Sequence, residues 1–110
     1  MFSVTLYEEV RPDIRISMEM YFESNGDLIF DGFDYGKTVQ DYWGDSDYEY
    51  TYTIPPKEVN KIYDLLGIPK GEKEKLLRAI LLKFNGESAY RAFGAFMDEN
   101  GVGYTSFRYT

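Results

Sequence analysis

The chain is 110 residues long, carries a net charge of −7, and contains neither cysteine nor histidine. That length fits one domain over residues 1–110. The missing residue types exclude disulfides, thiol nucleophiles, cysteine-held zinc and histidine general bases. No apolar run approaches the ~20 residues that span a bilayer, and the N-terminus lacks the basic-then-apolar pattern of a signal peptide. The expected setting is the cytoplasm, away from membranes.

The first half alternates as strands do. Phe2, Val4 and Leu6 interleave with polar residues, and Arg11-Pro12-Asp13 marks a turn. Ile14, Ile16, Met18, Met20 and Phe22 then share one face, with Arg15, Ser17, Glu19 and Glu23 on the other. Asn25-Gly26 predicts a type I′ hairpin, in which both residues take positive φ. A third strand is predicted over residues 27–33, followed by a structured loop over 34–46. A fourth strand, Asp47–Ile54, ends at Pro55-Pro56, where proline suits a helix start.

The second half has helical periodicity. Val59, Ile62, Tyr63 and Leu66 form one stripe, closed by Gly67-Ile68-Pro69. Leu76, Leu77, Ile80, Leu81 and Phe84 form a second, whose lysines and Arg78 read as a solvated face. Ser88 is the expected N-cap of a third helix, with Ala89, Ala92, Phe93, Phe96 and Met97 inward and Gly94 allowing close packing. Residues 104–109 read as a last strand. The predicted fold is α+β: an antiparallel sheet of about five strands, in the order ββββαααβ, with three helices packed on one face.

The charge is localised. Residues 19–53 hold nine acids and one base, Lys37, so this segment carries the whole negative excess. It repels phosphates, which argues against direct nucleic-acid binding and for a basic protein partner. Within it, Asp45, Asp47, Glu49, Thr51 and Thr53 alternate with Tyr48, Tyr50, Tyr52 and Ile54, giving an acidic face and an aromatic face. In one reading the tyrosines pack under the helices and the acids are solvated. In the other the segment is a recognition surface, with aromatic anchors beside steering carboxylates. The partner-binding candidates are Tyr35, Asp41, Tyr42, Trp43, Asp45, Asp47 and Glu49.

Other chemistry finds little support. Asp45, Asp47 and Glu49 have the opening spacing of a calcium loop, but Tyr50 and Pro56 stand where glycine and glutamate are needed. Asp31 and Asp34 pair two carboxylates near a loop, as a glycosidase or metal-dependent nuclease uses them. No phosphate-binding loop is present. No catalytic residues, metal or cofactor are expected, and the oligomeric state is open.

The segments Asp31-Gly-Phe-Asp-Tyr-Gly36, Tyr42-Trp-Gly-Asp-Ser-Asp-Tyr-Glu-Tyr50 and Gly101-Val-Gly-Tyr-Thr-Ser-Phe-Arg-Tyr109 resemble small acidic bacterial or phage proteins of unassigned role. The resemblance implies a compact α+β fold and transfers no site residue. Many such proteins are similar to immunity proteins or inhibitors. Three functions compete: a stoichiometric inhibitor covering a basic site, a nucleic-acid mimic, and a small metal-dependent enzyme or ion binder using Asp31, Asp34 and the acids of residues 45–49.

Overall fold

The structure is a computed structural model that describes residues 2–36 and 47–109, with Asp47 as backbone alone. The element order is the expected one: β1 (Ser3–Arg11), β2 (Ile14–Phe22), β3 (Leu28–Gly36), β4 (Asp47–Ile54), α1 (Pro56–Leu66), α2 (Lys73–Lys83), α3 (Ala89–Glu99) and β5 (Thr105–Tyr109). The strands form one antiparallel sheet in the order β1-β2-β3-β4-β5. Among the described residues, no helix is long and apolar enough to cross a membrane.

Alternation decides which face is covered. Val4, Met18, Met20, Leu28, Phe30, Tyr50, Tyr52 and Ile54 all turn to the helices and are buried. The aromatic centre of this core is Phe30. Its ring meets Tyr90 at 5.1 Å and Phe93 at 5.8 Å, both from α3, and Tyr52 at 6.1 Å. The tyrosines of β4 therefore belong mainly to the core, as the first of the two readings expected. The basic side chains of α2 stay exposed, and three lie over aromatic rings: Lys73 at 5.3 Å from the Phe22 ring, Arg78 at 5.0 Å from Phe2, and Lys83 at 5.6 Å from Phe84 and 5.9 Å from Phe96.

Several local expectations change. Strand β3 runs on to Gly36 because β2 keeps pairing with it as far as Ile14↔Gly36, so residues 34–36 of the predicted loop are strand, and the rest of that prediction lies outside the described residues. The β2–β3 connection is not a type I′ turn. Gly26 takes φ 93°, but no described non-glycine residue has positive φ, so Asn25 supplies no second left-handed residue. Instead Gly26 N–H donates to the Glu23 carbonyl, and the Asn25 side chain accepts from Asp27 N–H at 2.9 Å. Ser88 makes no capping bond, because its ψ of 12° is not the extended conformation that aims a side chain back at the helix. The buried face of α3 is also rotated: Tyr90 and Gly94 are inward and Ala92 is exposed. The cause is a close approach at Gly94, where the Tyr52 hydroxyl occupies the space a Cβ would need.

The return to β5 is held by α1. Glu58 accepts the Gly103 N–H at 2.6 Å and the Lys61 ammonium at 2.9 Å, and Lys61 also donates to the Gly101 carbonyl at 3.1 Å. These donors, Gly103 first, keep the Glu58 carboxyl below its ordinary range. The result fixes β5 beside β4 after three intervening helices.

Candidate functional site

The helices cover one face of the sheet and leave the other open. On the open face, cross-strand register lines up Thr5, Glu19, Asp31, Thr51 and Phe107 in one row from β1 to β5. The adjacent row holds Ser17, Phe33, Glu49 and Tyr109. Glu19 and Asp31 are thus direct cross-strand partners, with Glu49 one row away on β4. Like charges placed opposite each other destabilise a sheet, a cost that the hydrogen bonds to Asp31 offset in part.

Asp31 is also fixed in place. Tyr21 donates its hydroxyl to Asp31 Oδ2 at 2.7 Å, and Thr51 donates to Asp31 Oδ1 at 3.0 Å. Both carboxylate oxygens are engaged and the side chain is fixed on the sheet. Burial, and then the Asp31 bond, push the Tyr21 hydroxyl well above its ordinary pKa, so it stays protonated and keeps donating. Ser17, Glu19, Phe33, Glu49 and Thr51 surround Asp31 in a shallow depression of about 290 Å³. Around it stand exposed aromatic side chains: Phe107 is 60% exposed, Tyr109 57% and Tyr35 49%. A longer groove of about 910 Å³, walled by Phe2, Tyr21, Phe22 and Leu77, shares Glu19 and opens toward the start of α2.

Of the residues singled out in the sequence, Tyr35 and Glu49 lie on this open face, and Asp47 opposes Tyr35 in the backbone register. Asp41, Tyr42, Trp43 and Asp45 lie outside the described residues. Glu19 and Asp31 as a pair, and Phe107 and Tyr109, are additions. The period-2 pattern places each on a face, but only register brings them together.

Asp31 and Asp34 do not form a carboxylate pair, because odd and even positions of β3 face opposite ways. Asp34 is on the helix side and accepts the Tyr50 hydroxyl at 2.8 Å. Burial raises its carboxyl above the ordinary range, against the lowering effect of that bond. Tyr50 is raised further, by burial and then by Asp34, so it is a protonated donor and not an activated nucleophile. The two line a cavity of about 450 Å³ with Tyr48, Tyr90, Arg91 and Arg108. Among the described residues, no group of three or more carboxylates is placed to hold a metal ion.

Among the described residues, the buried Tyr90 hydroxyl finds no hydrogen bond of acceptable geometry, while its ring stacks on Tyr52 at 4.0 Å and 4°. An unpaired buried hydroxyl costs about 1–3 kcal/mol. Tyr90→Phe is therefore expected to raise stability by about 1 kcal/mol, read as a higher denaturant midpoint at unchanged slope. A loss of stability would mean that the hydroxyl has a partner.

Fold and face together define an α+β sheet protein with one face packed and one face open, acidic and rimmed by aromatics. No family model, curated protein or solved structure matches the chain.

Proposed function

We propose that this is a stoichiometric protein-binding module of the inhibitor or immunity type, whose open sheet face covers a basic site on a partner protein. The observation that carries the proposal is the Glu19–Asp31 pair, set opposite each other across strands β2 and β3 on the open face. Asp31 is fixed there by Tyr21 and Thr51. Carboxylates fixed in this way steer a cationic partner and set its register. Tyr35, Phe107 and Tyr109 supply the exposed aromatic area that anchors an interface. Of the sequence-derived candidates, Glu49 belongs to this face; Asp41, Tyr42, Trp43 and Asp45 lie outside the described residues, Asp47 is described as backbone alone, and they stay candidates on the sequence argument. The protein acts in the cytoplasm and does not bind nucleic acid directly.

The test is capture of partners from bacterial lysate by the tagged chain, beside a variant carrying Glu19→Gln, Asp31→Asn and Glu49→Gln. The expected result is one basic partner, retained at low salt, released at high salt and absent from the variant. Displacement of that partner by duplex DNA identifies its site as a nucleic-acid site and the face as a mimic. Equal capture by both proteins, or retention at high salt, contradicts the proposal.

A further inference from the structure

The two edges of the sheet are built differently. The β1 edge is guarded: its register slips at a bulge between Thr5 and Tyr7, and it carries Glu8 and Glu9. The α2–α3 turn also lies against it, since Gly86 N–H donates to the Leu6 carbonyl at 2.9 Å. Bulges, charges and covering segments are the devices that stop an edge strand from pairing again. β5 lacks all three. Its register with β4 is unbroken, its sequence Thr-Ser-Phe-Arg-Tyr has no proline and no acid, and all five residues are exposed. Among the described strands it pairs with β4 alone.

We propose that β5 pairs antiparallel with β5 of a second copy of this chain, about a two-fold axis at Phe107, continuing the sheet across both molecules. The strand is self-complementary in that register. Phe107 faces Phe107 of the second copy, Thr105 faces Tyr109, and Ser106 faces Arg108. Aromatic pairs and β-branched–aromatic pairs are favourable neighbours across strands, and no like charges oppose each other. The same patch serves both molecules, as a two-fold interface requires.

Charge selects this edge and this occupant. Two chains of net charge −7 repel each other, and each of β1 to β4 carries at least one carboxylate. β5 carries none, and its one charge, Arg108, is positive. Copies that meet here bring their least acidic strands together. The pairing uses the edge of the sheet and leaves Glu19, Asp31 and Glu49 uncovered; Phe107 and Tyr109 belong to both surfaces, but self-pairing is read on the isolated protein and so does not depend on the proposed partner docking. Salt separates the two: screening strengthens the association of two acidic copies and weakens the docking of a basic protein.

Sedimentation velocity on the full chain tests this, from about 1 μM to about 1 mM protein, a range that covers moderate and weak dimers. The wild type is expected to move from monomer to dimer mass with concentration, more readily at high salt. Phe107→Lys, which sets lysine against lysine, is expected to weaken the dimer by at least about tenfold. Val10→Lys, on the guarded edge, is expected to change nothing. In the wild type, amide hydrogen exchange of residues 105–109 is expected to slow as concentration rises, a readout that needs no variant. Monomer mass throughout, an unaffected Phe107→Lys dimer, or β5 exchange independent of concentration would each overturn the proposal.

Discussion

Replacing Phe30 by alanine is expected to cost about 4 kcal/mol, the centre of the range for a fully buried phenylalanine. Phe30 is 0% exposed, and three rings from β4 and α3 close on it. Truncation leaves a cavity between the sheet and α3, and stacking between Tyr52 and Tyr90 limits how far it can collapse. A domain of this size has a total stability of about 5–15 kcal/mol, so the variant is expected to lie near the edge of folding. Its melting temperature is expected to fall by about 20 °C. Urea unfolding should show the loss in the midpoint, with the slope kept. A loss below about 1.5 kcal/mol, the ordinary cost of a volume-conserving core swap, would mean that Phe30 is not the centre of the core.

Gly32→Ala is expected to cost about 2–3 kcal/mol, although alanine in a strand is ordinarily better than glycine by about 0.5–1 kcal/mol. The reversal comes from Tyr50, which lies directly across from Gly32 in the β3–β4 register. A Cβ at position 32 would overlap the Tyr50 ring. That ring has little room to yield. Its hydroxyl is held by Asp34, its face meets Tyr90 at 4.6 Å, and Tyr48 lies at 5.4 Å. Thermal melts of the variant decide the sign. A neutral or stabilised protein would show that the Tyr50 ring moves freely and that the aromatic wall is soft.

Most of the fold was legible because its signals are local. The alternation from Ile14 to Phe22 places Met18 and Met20 in the core. Pro55-Pro56 opens α1 with proline in its first turn, and Gly67 closes it at φ 69°. The errors fall where distant contacts override local preference. The bulge after Thr5 brings Tyr7 opposite Met18, a shift that no composition signal marks. The buried face of α3 turns toward Tyr90 and Gly94 because the tyrosines of β4, about 40 residues away, demand it.

The site was harder to see for the same reason. Glu19 and Asp31 are twelve positions apart and become neighbours only through the β2–β3 register. Asp31 is held by Tyr21, ten residues before it, and Thr51, twenty after. Phe107 joins their row only after three helices return the chain to the sheet. The sequence identifies Glu49 as a surface candidate by alternation and Tyr35 as an aromatic of the predicted loop, which the structure places on strand β3 instead. It does not show that register sets Glu19 directly opposite Asp31 on two other strands.

The most direct measurement is the dissociation constant of the captured partner as a function of salt, for the wild type and for the variant with Glu19→Gln, Asp31→Asn and Glu49→Gln. The predicted result is a loss of at least about 2 kcal/mol, roughly 30-fold, with a shallower salt dependence, in a variant that still unfolds cooperatively. An affinity and salt slope equal to the wild type, in a folded variant, would contradict the claim that the open acidic face binds the partner.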